Sequence, residues 1–389
     1  MKIDTLLLFL VLNTSGLIAQ NNNLNRSEPN LPDIPGYKTI LADFHLHTVF
    51  SDGKVWPTVR VDEAWEHGYK AIAITDHIED HQYRKYIAFE GNLNASNKIA
   101  QREGERQDII VIAGTEITRA MPPGHLNAIF VKDVDKIATH RVKSFFNKNP
   151  EATLVSIIDS IDHHHKDYME SLLEARNQSA FIFWNHPMLF TPEGEKLELP
   201  DVHKDLIKKG LIQGIEVADL GHYHPEAFQW CLDYNLTLLG NTDLHDPYHI
   251  DDATNPLERR NATLVFTADI TEQGIKEALE NQRTAVWVND MVIGKQSFLE
   301  PLVRASIAFD KPHFIDENRT RYIKITNNSD FKFHIDSDMI EEKTFLDFLT
   351  LNPNSSQILK IPENEAALKM TILNFQVAPE KPLTLFIKL

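Results

Sequence analysis

The sequence predicts an α/β protein in which a parallel sheet wound with helices closes toward a barrel, followed by a small C-terminal β-sandwich. Three observations carry this expectation. From Lys38 to Gly294, apolar runs of strand length alternate with stretches of helical periodicity, the pattern of parallel strands joined by helical crossovers. In the run 71–77, Ala71, Ala73 and Thr75 share one face, and small side chains suit the interior of a narrow barrel. After Gly294 come short strand-like runs broken by Asn, Ser, Asp and Pro, as in a sandwich.

At 389 residues the chain exceeds an ordinary single domain. The expected division is a leader at 1–19, a flexible lead-in at 20–37, the barrel at 38–295 and the sandwich at 296–389. In the leader, Lys2 precedes an apolar run from Leu6 to Leu12, and Ala19 offers a small residue for cleavage. That is the build of a secretory signal peptide, so the chain is expected to be exported, periplasmic or secreted. The run is far shorter than the roughly 20 residues that span a bilayer, so no stable membrane insertion is expected. Residues 21–35 are polar and carry three prolines, which suits a lead-in.

The first strand begins at Lys38 and leads into Asp43-Phe44-His45-Leu46-His47. A helix follows, with Val61, Ala64 and Trp65 on one face and Gly68 at its C-cap. The second strand, 71–77, aims His77 along the small-residue face. A long polar helix is expected over 81–106, then a strand at 109–116 and another at 125–131. The gap between Glu116 and His125 is too short for a parallel crossover, so these strands form a hairpin and the two residues share one end. Residues 151–178 look helical. A strand at 180–184 is stopped by Pro187 just after His186. The strand 214–218, a helix bearing Ala227, Trp230, Cys231 and Tyr234, and the strand 236–242 follow. Strands at 262–267 and 285–288, joined by a helix over 271–281, complete the barrel. The sandwich runs are 321–325, 331–335, 356–361, 369–373 and 383–389.

The formal net charge of −17 argues against nucleic acid or an anionic membrane as a partner. Cys231 is the one cysteine. It permits no intrachain disulfide and no thiolate metal site, and it reads as part of a buried helix face. Nothing signals an obligate protein partner.

Nine residues end strands or sit in the turns beside them: His45, His47, Asp52, His77, Glu116, His125, His186, Asp243 and His245. Strand alternation turns His45 and His47 the same way, and likewise Asp243 and His245. Six imidazoles and three carboxylates are poor core filling, because each buried polar group needs a partner. They are the ligand set of two or three divalent transition metals, Mn, Zn or Fe, in a hydrolytic site. A cluster of divalent ions would outweigh the three carboxylates and draw a phosphate ester into an acidic protein.

His45-Leu-His47 with Ser51-Asp52-Gly53, Thr75-Asp76-His77, Gly114-Thr115-Glu116, Gly124-His125, Asn185-His186-Pro187 and Asp243-Leu-His245 together resemble the PHP (polymerase and histidinol phosphatase) superfamily. The leader, the run 116–130 and the β-rich tail are most similar to exported Sb-PDE-type phosphodiesterases. The resemblance implies a distorted (β/α)7 barrel. It also implies one metal held by His45, His47, Glu116 and Asp243, a second sharing Glu116 with His125 and His186, and a third on Asp52, His77 and His245. Related phosphatases carry histidine near position 52, where this chain has Asp52. Glu116, Asp243 and His245 take the catalytic assignment, in hydrolysis of a small-molecule phosphodiester by a metal-activated water. A phosphomonoesterase needs the same ligands, and an amidohydrolase shares His-x-His and a late Asp.

Around this set, Asp43, Asp76 and Glu216 suit either support of ligand imidazoles or buried ion pairs. Arg119 suits a phosphate clamp or a structural ion pair. His81, His222, Tyr223 and His224, in mouth loops, are candidates for protonating a leaving group. His163, His164 and His165 are consecutive, diverge on a helix, and read as a solvated face.

Overall fold

The computed structural model describes residues 26–83, 85–87, 91–139, 142, 168–189, 198–251, 261–336 and 348–388. The leader and His163–His165 lie outside the described residues.

Strand β1 (Lys38–Asp43) lies between β2 (Ala71–Ile74), which is parallel to it, and β9 (Ala262–Thr267), which is antiparallel. From β2 the sheet continues through β3 (Ile110–Ile117), β4 (Leu126–Ile129), β5 (Phe181–Trp184) and β6 (Gly214–Asp219) to β7 (His222–Tyr223), and β8 (Thr237–Gly240) pairs with β6. Side chains span the gap between β8 and its neighbours β9 and β10 (Thr284–Val288). The Thr263 hydroxyl accepts from Gly240 N and donates to Gly240 O, both at 3.0 Å, and Thr284 Oγ1 donates to Leu238 O at 2.8 Å. Gly240 permits this approach, because a Cβ there would lie 2.2 Å from Val286 Cγ1. Ala42, Ala71 and Ala73 pack inside the curled sheet with Ile112, Phe181 and Phe183, while Ile72 and Ile74 face outward. The small residues fill the interior, as the alternation requires.

The expected hairpin is β3–β4, with Glu116 opposite Asn127 and Ile117 opposite Leu126. Several expectations need correction. The helix expected over 81–106 begins only at Ala95 and runs to Gln107. Gly91 upstream adopts φ +78°, a left-handed conformation that does not propagate a helix. Of the helix expected over 151–178, Tyr168–Asn177 is described. The helices Asp201–Lys208 and Gln296–Ser306 were not anticipated; the second carries Pro301, which weakens its sequence signal. Residues 27–37, expected as a flexible lead-in, are hydrogen-bonded along the body: Ser27 N donates to Glu66 O, and Asn30 N donates to Asp330 Oδ2 at 2.8 Å.

The C-terminal region is built from two facing sheets. One contains β14 (Thr320–Asn327) flanked by β17 (Ser356–Pro362), β12 (Ile307–Phe309) and β13 (Phe314–Ile315); the other contains β15 (Phe333–Asp336), β16 (Leu349–Leu351), β18 (Ala367–Ala378) and β19 (Lys381–Lys388). Ile323, Ile325 and Leu359 of the first sheet share a core with Phe333, Leu368 and Ile372 of the second. This sandwich is continuous with the barrel. Strand β11 (Met291–Gly294) leaves the β10 hairpin and pairs in parallel with β18, and the Trp287 ring packs tilted against Phe331 with centroids 4.7 Å apart. No described helix is long and apolar enough to cross a membrane.

Candidate metal centre

Beyond β1 the chain stays extended, and Leu46 bridges to Leu244 in the loop after β8. This sets His45-x-His47 beside Asp243-x-His245. Gly53 folds the next turn back onto that stretch: a Cβ there would lie 2.5 Å from both His47 C and Thr48 N. Only glycine allows this contact, and it brings Asp52 against the imidazoles. Beyond the end of β2, His77 bridges to Glu116 near the end of β3, and the β3–β4 hairpin returns His125 to Glu116.

The nine side chains meet in three abutting groups. In the first, His45 Nε2 and His47 Nε2 are 3.1 Å apart. Glu116 Oε2 is 2.9 and 3.2 Å from them, and Asp243 Oδ1 is 3.1 Å from each. In the second, Glu116 Oε1 lies 2.7 Å from His125 Nδ1, with His186 beside them. In the third, Asp52 lies 3.2 Å from His245 Nε2 and 3.5 Å from His77 Nε2, and His47 stacks on His245 at 4.2 Å. Asp243 and His186 adopt φ +52° and +28°, uncommon for residues other than glycine and typical of strain kept for a site.

These donors fit divalent cations. A tetrahedral shell with bonds of about 2.0–2.2 Å has ligand edges of about 3.3–3.6 Å. The five separations in the first group, 2.9 to 3.2 Å, lie a few tenths of an ångström short of those edges. His45 Nδ1–H donates to Glu216 Oε1 at 2.9 Å, which aims Nε2 at the carboxylates of Glu116 and Asp243. That arrangement calls for a cation between them.

The electrostatics agree. Burial alone would lower the His45 imidazole, but Asp243, Glu216 and Glu116 outweigh it and raise it well above its ordinary range. His77, also buried, is raised well above its range by Glu116 and Asp52. Against burial, Asp52 brings His245 up to about 9. Glu116 is held well below the carboxylate range, because the surrounding imidazoles overcome the cost of burying it. A field that retains protons on buried imidazoles also attracts a metal ion. Burial dominates at His186 and lowers it to about 4, so this ring is neutral and able to ligate near neutral pH.

Three buried carboxylates brace the ligands. Glu216 also accepts from His186 N and Asn241 Nδ2, both at 2.8 Å. Asp43 accepts from His45 N and from Thr242 N and Oγ1. Asp76 takes Thr48 N, Thr48 Oγ1 and Ser51 Oγ. Of the two readings of Arg119, the structure has the ion pair: its guanidinium is buried against Glu79 and also donates to Thr118 O at 2.6 Å. His81 is buried, and its Nδ1–H donates to Phe50 O at 3.0 Å. His222 is exposed on β7 and belongs to none of the three groups. His224 pairs with Asp219 at 2.7 Å. Cys231 is buried on its helix, where burial raises the thiol and keeps it inert.

The sequence reading missed Arg60, Glu79 and Thr118. Thr118 Oγ1 sits 2.6 Å from His77 Nδ1 and fixes that ring. Arg60 and Glu63 lie on the buried face of the helix Pro57–Glu66, and charges on a packing face were the available signal.

An α/β barrel whose strand ends converge on imidazoles and carboxylates defines a metal-binding hydrolase-like scaffold. A PHP domain model matches residues 43–218 and an Ig-like domain model matches 307–388. A solved two-domain protein from Bacteroides vulgatus ATCC 8482, described as containing a predicted PHP-like metal-dependent phosphoesterase, superposes with a TM-score of 0.80 at 34% identity. The match covers 94% of this chain and 99% of that one. An uncharacterized protein of Methanocaldococcus jannaschii is 42% identical over 82 residues, which is 21% of this chain and 34% of that protein. The chain belongs to the PHP domain family.

Proposed function

We propose that this chain is an exported metal-dependent phosphoesterase that hydrolyses phosphodiesters, similar to the Sb-PDE-type enzymes. The observation that carries the reading is Glu116: one oxygen faces His45 and His47, and the other faces His125. A carboxylate with imidazoles on both of its oxygens suits a bridge between two ions. The relative from Bacteroides vulgatus supports phosphoester chemistry.

The ions would supply an activated water and polarise the phosphoryl oxygens. His45, His47, Glu116 and Asp243 would hold one ion, Glu116, His125 and His186 a second, and Asp52, His77 and His245 a third, with His47 adjoining. Glu216 fixes the tautomer of His45, and Asp43 and Asp76 hold the turns that carry the ligands. Arg119 is neutralised by Glu79, so it adds no charge for a second phosphate anion. That favours a monoanionic diester over a dianionic monoester.

Elemental analysis of the reconstituted protein should find two or three Mn, Zn or Fe per chain. The loaded enzyme should hydrolyse bis(4-nitrophenyl) phosphate faster than 4-nitrophenyl phosphate. Less than about one metal per chain would sink the metal reading, and a preference for the monoester would sink the diester assignment.

A further inference from the structure

The two stretches that bring His47 and His245 together meet through one isolated bridge, Leu46 to Leu244. A buried guanidinium reinforces it. Arg60 Nε donates to His47 O at 2.8 Å; Nη1 donates to Glu63 Oε2 at 2.7 Å and Asp246 O at 2.9 Å; Nη2 donates to Leu244 O at 3.0 Å and His245 O at 2.7 Å. A guanidinium has five N–H groups, and all five are used here. Four of the acceptors are main-chain carbonyls of the ligand-bearing stretches, and the side chain is 1% exposed. Glu63, which holds Arg60 in place, also accepts from Tyr248 N at 2.8 Å and so ties down the same loop further on.

Asp43 does the converse with acceptors. Its carboxylate joins His45 N to Thr242 N and Oγ1. The stretches 43–47 and 242–246 are thus tied at one level by a carboxylate and at the next by a guanidinium. A cavity of about 20 Å³ lies between Asp43, Arg60 and Glu63, room for a single water.

We propose that Arg60 is a positioning residue that sets metal affinity. By fixing the carbonyl of His47 and those of Leu244, His245 and Asp246, it fixes the separation of the His47 and His245 rings and so closes the third ligand group. The proposal rests on the metal reading given above. Lysine offers three donors from one point and cannot span the four carbonyls, so retaining the charge is not enough.

The test compares Arg60→Gln and Arg60→Lys with Arg283→Gln. Arg283 is also buried and donates to Phe266 O at 3.1 Å, near where Lys38 begins β1 and away from the ligands. Each metal-free protein is titrated with Mn2+ or Zn2+ by calorimetry, and its Tm is recorded without metal. Both Arg60 variants should lose at least about 10-fold in the affinity of the weakest site, as loss of ligand-supporting contacts commonly causes. Arg283→Gln should lower Tm but bind metal as the wild type does. Arg60 variants that lose Tm yet bind metal with wild-type affinity overturn the proposal.

If neither Arg60 variant folds, hydrogen exchange on the wild-type protein decides. Metal should protect amides of 47–53 and 243–247 together, and protection of one stretch alone overturns the proposal. A wild-type chain that binds no metal overturns the metal reading and this one with it, whereas full metal uptake by the Arg60 variants overturns this one alone.

Discussion

Glu116 and His125 meet at the loop end of the β3–β4 hairpin, with Oε1 2.7 Å from Nδ1, while the other oxygen of the same carboxylate lies 2.9 Å from His45 Nε2. Replacing Glu116 with glutamine keeps the shape and removes the charge on which both flanking groups depend. Turnover of bis(4-nitrophenyl) phosphate by Glu116→Gln should fall by at least about 10²-fold, and further than in His245→Asn, which disturbs one group. Steady-state kinetics with matched metal analysis checks this. Near-normal turnover and metal content in Glu116→Gln would mean that Glu116 does not bridge.

Gly53→Ala places a methyl group within 2.5 Å of the His47 main chain. The turn must move, and Asp52 moves with it. The variant should bind at least about 10-fold less tightly at its weakest metal site while the first and second groups keep their ions. Calorimetric titration reads this directly, and unchanged affinity at every site would show that Asp52 is not a ligand.

His203 is buried under Trp184, and its Nε2–H donates to Pro123 O at 2.7 Å. Burial lowers its imidazole to about 4. The folded value lies below the unfolded value of about 6.5, so between them the unfolded chain takes up a proton that the native chain refuses. This contribution to stability is fully present above pH 6.5 and is lost as pH falls toward 4, on the order of 3 kcal/mol in all. Urea midpoints at pH 7.5 and pH 5 should therefore differ less in His203→Gln than in the wild type. Equal differences would remove His203 as the cause.

Phe331 is buried in the C-terminal region, 4.7 Å from Trp287 of the barrel and 5.8 Å from Phe375. Phe331→Ala should cost about 3 to 5 kcal/mol. Because β11 and β18 belong to one sheet, the loss should lower a single unfolding transition observed by calorimetry. Truncation after residue 295 should leave β11 as an exposed edge and impair solubility. Two separated transitions, or a soluble and fully active truncated protein, would show that the C-terminal region does not support the barrel.

By itself the sequence determined the α/β class, the β-rich tail, the β3–β4 hairpin and the candidate side chains at strand ends. Those features are local: alternation reports which face a residue occupies, and a short connection between Glu116 and His125 allows only an antiparallel return. The tertiary structure alone decided which atoms meet. Arg119 and Arg60 show the difference. Each is a cation close in sequence to candidate ligands, yet Arg119 is buried against Glu79 while Arg60 reaches carbonyls almost two hundred positions away. A guanidinium's partner depends on long-range packing, which periodicity does not encode. Likewise, no local signal marks that β11 pairs with β18, because a strand reads the same whichever neighbour completes its hydrogen bonds.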